Sequence, residues 1–171
     1  MTEGAKYVWA VLLIAVATHF AVIHAAPRLM MGVAMERIGD AGPNIWRLAE
    51  RVTPQSRAIV RPSPDFAYSA CVYDLSRGPV AIRVAPWTEY WSLSLYAASS
   101  DNYFVIDDRE ARSGAEIVLT RSPRDERGGA RIVVSPSTRG VALIRRLAPT
   151  PDAYDRAAQA ARGDSCAPFS N

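Results

Sequence analysis

Asp65 and Tyr68 stand three residues apart, where the proline-rich Pro62-Ser63-Pro64 enters an apolar run. At that spacing a carboxylate and a phenol can face one pocket and bind a polar ligand. The alternative is that Asp65 caps backbone N–H groups at a strand entry while Tyr68 packs at the strand edge. Further on, Trp87, Glu89, Tyr90 and Trp91 cluster. Aromatic faces beside an acid suit sugars or lipid headgroups, whereas the plainer reading is a core Trp91 beneath a surface turn carrying Trp87. Arg145 or Arg146 can pair with an acid such as Asp65 or Asp74. Asp107-Asp108-Arg109-Glu110 offers paired carboxylates. Neighbours in a strand point to opposite faces, so Asp107 and Asp108 do not converge as a glycosidase pair must. The spacing of an EF-hand is absent as well.

What the chain lacks narrows its chemistry further. It has 171 residues, with 19 Arg, one Lys (Lys6) and two His (His19 and His24). From Pro27 onward there is neither His nor Lys. That excludes Ser-His-Asp and Cys-His catalysis, a Schiff-base lysine and a Walker A lysine within the domain. Zinc sites built on His are excluded too, and two Cys cannot close a four-cysteine site. No metal and no cofactor is expected. The net charge is +3, with acids interleaved among the Arg residues. No basic run with aromatic spacing occurs, so no nucleic-acid partner is expected.

The elements that must position these residues begin with Tyr7 to Ala26, 20 residues without a formal charge. A helix of that length spans about 30 Å, the thickness of a bilayer core. Tyr7 and Trp9 suit one headgroup region. Cleavage after Ala26 would place His24 three residues before the cut and Pro27 just after it, a poor signal-peptidase site. The segment therefore reads as an uncleaved single-pass membrane anchor. A cleaved leader and a buried core helix are the alternatives. Lys6 lies on one side of the segment, and Arg28 and Arg37 on the other. That count mildly favours a cytoplasmic domain, and the cysteines argue against it. Cys71 falls in an expected strand and Cys166 in the tail DSCAPFSN. A bond between them would staple the tail to the sheet and require an oxidising compartment. The alternative is one buried and one exposed free thiol.

The remainder divides into short helices and a connector over 27–60, an antiparallel β domain over 61–148, and a C-terminal helix and tail over 149–171. Arg28 to Ile38 continues as a short helix, and Ile45 to Val52 reads as further helical turns. Strands are expected at Phe66 to Asp74, Pro79 to Val84, Trp91 to Ala97, Tyr103 to Ile106, Glu116 to Thr120, Ala130 to Ser135 and Gly140 to Leu147. Arg121 to Gly129 reads as a charged hairpin loop, and Pro151 to Arg162 as a terminal helix. The fold class is mainly β: one N-terminal transmembrane helix, then an antiparallel sandwich or partly open barrel with short flanking helices.

Three segments carry a resemblance. RPSPDFAYSACVYDLSRGPVAIRV, YWSLSLYAASSDNYFVIDDR and VSPSTRGVALIRRL together resemble domain-of-unknown-function family 1254. Its opening motif, Pro-Asn-x-Asp-Thr-x-Tyr-Ser, is met here at Asp65, Tyr68 and Ser69. Ser63 replaces the usual Asn, and Phe66 the usual Thr. The likeness covers about residues 60 to 148, and the anchor ending at Pro27-Arg28 is similar to that of a short, membrane-anchored bacterial branch. It implies an antiparallel β fold in a bacterial envelope protein and no established reaction. In longer relatives this domain is joined to a second β domain. The resemblance therefore implies that a short chain can pair with a separate protein carrying that companion domain.

The resulting expectation is an inner-membrane protein with a cytoplasmic N-terminus and a periplasmic β domain, used for ligand binding or assembly. Asp65, Tyr68, Glu89, Trp91 and Arg145 are the candidate ligand-binding residues, and Cys71 and Cys166 the candidate disulfide. The rival is a hydrolase acting on envelope lipid or glycan through Asp65 and Tyr68, with Glu89 in support.

Overall fold

A computed structural model of the chain describes residues 3–40, 42–56, 62–122 and 131–169. It opens with a helix, α1 (Glu3–Ile38), that continues through Pro27. Among the described residues nine strands and a second helix follow. They are β1 (Trp46–Leu48), β2 (Phe66–Asp74), β3 (Val80–Val84), β4 (Trp91–Ala97), β5 (Asn102–Asp107), β6 (Ala115–Thr120), β7 (Arg131–Val134), β8 (Arg139–Leu147), α2 (Pro151–Ala161) and β9 (Ser165–Pro168).

The strands form two sheets, ordered β1-β2-β8-β4-β5 and β7-β6-β3-β9. All described pairings are antiparallel except β6 with β7, which run parallel. The parallel pair rules out a simple hairpin between them. The charged 121–129 segment read as that hairpin loop lies mostly outside the described residues.

Alternation builds the core. In β4, Trp91, Leu93, Leu95 and Ala97 point between the sheets and are buried. From β8, Ala142 and Ile144 meet them, and from the second sheet Val80, Ile82, Val84, Ile117 and Leu119. Each large side chain sealed there contributes about 1.5–3 kcal/mol. Residues 45–52, read as helical turns from their apolar spacing, instead carry β1. Trp46 and Leu48 pack inward on the core while Arg47, between them, ion-pairs with Asp40 at 2.8 Å. Pairing with β2 supplies the backbone partners that three residues could not supply as a helix.

Three devices join the sheets. Cys71 of β2 is bonded to Cys166 of β9, 95 residues away. Arg146, on the inner face of β8, meets Asp164 beside β9 through two bonds, of 2.8 and 2.7 Å. Asp164 also accepts from Ala85 N at 2.8 Å, and Arg146 donates to Ala85 O at 3.2 Å. Arg146 thus pairs with neither Asp65 nor Asp74; Asp74 faces Arg139 at 3.6 Å. The third device is a chain of hydroxyls. Tyr103 donates to Tyr73 at 3.1 Å, and Tyr73 donates to Tyr96 O at 3.0 Å and lies 3.1 Å from Ser135 Oγ. Burial pushes the Tyr103 phenol well above its ordinary range, so it stays protonated. Gly140 is required here, because a Cβ would collide with the Tyr73 hydroxyl and the Tyr96 carbonyl.

Both ends of the Arg146–Asp164 pair are almost wholly buried, so removing one charge strands the other without water. Asp164→Asn should therefore lower unfolding stability by about 3–5 kcal/mol, measured by urea denaturation.

Candidate functional site

The first sheet has two faces of different character. Its inner face is filled by the second sheet. Its outer face is crossed at one end by α1; elsewhere Val105 is exposed, Tyr68, Arg145 and Asp107 are half-buried, and Ser92 and Ser94 are buried between their neighbours. Register places a row of side chains straight across that outer face: Tyr68 of β2 opposite Arg145 of β8, Arg145 opposite Ser92 of β4, and Ser92 opposite Asp107 of β5. The strands position these four because each sits out of phase with the core residue beside it: Tyr68 with Ala67, Arg145 with Ile144, Ser92 with Trp91, and Asp107 with Ile106.

Arg145 is half-buried, and its Nε donates to Ser92 Oγ at 3.3 Å. Among the described residues no ion pair engages it. Its guanidinium therefore keeps most of its five N–H donors for whatever approaches the face. Asp107 Oδ1 accepts from Arg109 N at 3.0 Å. Tyr68 accepts from Ser63 N at 3.0 Å, which anchors the connector against the sheet.

An aromatic rim flanks the row. The Phe66 ring lies 6.3 Å from Tyr68 and 6.0 Å, edge-on, from Tyr90. Tyr90 is itself exposed. On the other flank, Ala70, Leu143, Ser94 and Val105 form the next outward row. The arrangement is a shallow surface of aromatic and aliphatic side chains on which Arg47 and Arg139 are ion-paired, to Asp40 and Asp74, and Arg145 is not, among the described residues. Among the described residues no group of three His, Cys, Asp or Glu converges as a metal set. Surfaces of this composition bind by contact, through Tyr, Phe and Arg anchors.

The five residues singled out from sequence are partly brought together. Tyr68 and Arg145 are direct cross-strand partners. Asp65 and Glu89 are both exposed, each next in sequence to a ring of the rim, Phe66 and Tyr90 respectively. The Asp65 carbonyl accepts from Ala148 N at 2.7 Å. Trp91 lies on the opposite face, fully buried in the core, and does not share this surface. Phe66, Ser92 and Asp107 were not singled out as binding residues. Ser92 and Phe66 alternate with core positions in the sequence, a signal that marks an outward face but not its use.

A family model described as "Protein of unknown function (DUF1254)" matches residues 43–168. Among curated proteins, none matches. Among the solved structures that share the fold, the VPA0106 protein from Vibrio parahaemolyticus is 15% identical with a TM-score of 0.61, over 86% of this chain and 35% of that one. An uncharacterized protein from Burkholderia cenocepacia is 13% identical with a TM-score of 0.50, over 69% of this chain and 34% of that one. This chain thus spans about a third of the length of the solved proteins that it resembles.

Because Arg145 sits on the open face and Arg146 in the core, adjacent arginines should respond oppositely to substitution. Arg145→Gln should leave unfolding stability within about 0.5 kcal/mol of the wild type, read from the same urea curves as Asp164→Asn.

Proposed function

This chain belongs to the family DUF1254, and from that premise we propose that it is an envelope protein held in the bacterial inner membrane by α1, with its β domain on the periplasmic side. In this reading the domain is a binding and assembly module, and its partner is a separate protein carrying the companion β domain. The observation that carries the reading is one of combination. An N-terminal helix long and apolar enough to cross a membrane runs into a domain whose two cysteines are bonded to each other. Disulfides persist in oxidising compartments, so the bond favours the periplasm over the charge count around the helix.

Two further features support the partner. The solved relatives carry about twice as much additional chain as the part that this protein matches. Tyr68, Arg145 and Asp107, with the aromatic rim, give such a partner a face to dock on, Ser92 lying buried beneath them. The hydrolase reading gains nothing from the geometry: Asp65 and Glu89 are exposed and the Tyr68 phenol is engaged by the connector backbone.

Topology is tested by fusing alkaline phosphatase after Asn171, since that enzyme matures only outside the cytoplasm. Active phosphatase is the expected result, and an inactive fusion of full length would overturn the periplasmic placement. For assembly, the companion protein is titrated against the wild type and Arg145→Glu. The substitution should weaken binding at least about tenfold; unchanged binding would remove this face from the interface.

A further inference from the structure

The way α1 meets the β domain fixes which side of the domain looks at the bilayer. Only the last third of the helix touches the domain. Its half-buried residues there are Pro27, Met31, Ala34, Met35 and Ile38, spaced by four, three, one and three. That is a single helical stripe. The stripe maps onto the first sheet in strand order. At the C-terminal end, Gly39 lies against Val72 of β2. One and two turns earlier, Met35 and Gly32 share a hollow with Arg139 of β8. At Pro27, the carbonyl accepts from Ser100 Oγ at 2.8 Å, in the turn between β4 and β5. Twelve residues of helix cover about 18 Å. Crossing from β2 over β8 and β4 to β5 takes three strand spacings, about 14 Å. The helix therefore runs across the strands, not along them, and leaves the sheet past β5.

The uncharged segment ends at Ala26, and Ser100 touches the next residue. No slack chain separates the span from the domain. The second sheet has the same orientation: Arg131, the first residue of β7, lies over the Phe104 ring of β5 at 5.0 Å and meets Glu110 at 3.4 Å. The two outer strands β5 and β7 thus share one side, and the disulfide between β2 and β9 marks the other. Both near-side strands expose a large aliphatic residue, Val105 at 48% and Val134 at 43%. Exposed Leu29 and Met30 lie within a turn of Pro27.

We propose that the domain lies edge-on against the bilayer, with β5, β7 and the β4–β5 turn in the phospholipid headgroup layer and the β9–α2 side pointing away. The inference rests on the anchor reading given above. The occupant of this side is a lipid surface, because the same helix that carries it leads directly into the apolar span. Two strand edges that no described strand pairs with then face polar headgroups and water instead of another sheet edge. The far side stands about 19 Å further out, by the four spacings from β5 to β1.

The test uses the full chain in phosphatidylcholine vesicles. An environment-sensitive fluorophore is attached to Val105→Cys, to Val134→Cys, or to Gln159→Cys on the exposed side of α2. The native cysteines are bonded to each other, so each new thiol can be labelled without reductant. The quencher is a nitroxide on the lipid headgroup. Quenching at 105 and 134 several-fold stronger than at 159 is the expected result. Equal quenching at all three sites, or strongest quenching at 159, would overturn the edge-on pose while leaving the anchor intact. Failure of the unlabelled wild-type chain to float with the vesicles would instead defeat the anchor reading, and the pose with it.

Discussion

The return of the chain's C-terminal end to its own core is the constraint on which the rest of the structure depends. β9 is a four-residue edge strand that follows a helix, and pairing with β3 alone would hold it weakly. Two links into the first sheet make the return firm. The Cys71–Cys166 bond closes a loop of 95 residues, which in the chain-entropy account contributes about 4–5 kcal/mol by restricting the unfolded chain. The Arg146–Asp164 pair fixes the turn between α2 and β9 and ties it to the backbone at Ala85. A β domain of this size buries a limited core, so the covalent tie between the layers matters to its stability, while the buried ion pair is costly to break rather than a large net gain.

Those ties leave the outer face of the first sheet outside the core, with structural duties only at its two ends, where α1 packs on Val72 and Tyr68 holds the connector. The inner positions of β2, β4 and β8 are committed to packing, and the outer ones carry Tyr68, Ser92 and Arg145. One strand residue decides between the two fates: Arg146 is locked in the core, whereas Arg145 looks outward. The same economy governs the N-terminal end. In the proposed reading α1 is both the span and the stalk, and its stripe from Pro27 to Ile38 gives the domain a fixed attitude to the segment that precedes it. The attitude of α1, the outward face and the stapled core are therefore consequences of one layered arrangement.

Much of this architecture was legible in residue patterns. The alternation in Trp91–Ala97 and the apolar run at Gly140–Leu147 specify strands whose faces follow from period two. The uncharged 20 residues and the Pro-Asp start of α2 were equally plain. What escaped was nonlocal. β1 has the apolar spacing of a helix, and only contact with β2 makes it a strand. The parallel pairing of β7 with β6 depends on neighbours that no local pattern encodes. The partner of Arg146 lies 18 residues later, and charge alone offered Asp65 or Asp74 as readily. Of the candidate site, Tyr68 and Arg145 were visible as residue types but not as partners, because cross-strand register is set by the whole sheet. Trp91 illustrates the opposite error: an aromatic beside an acid suggests a ligand, yet its parity in β4 places it in the core.

The central claim is that the domain is stapled across its two sheets and matures in an oxidising compartment. Thiol accessibility measures this most directly, using a membrane-impermeant maleimide on spheroplasts with and without prior reduction. Labelling that appears only after reduction is the result predicted by the proposed periplasmic placement, in which both cysteines are engaged outside the cytoplasm. Labelling that needs lysis but no reductant would contradict the account, leaving free thiols on a cytoplasmic domain.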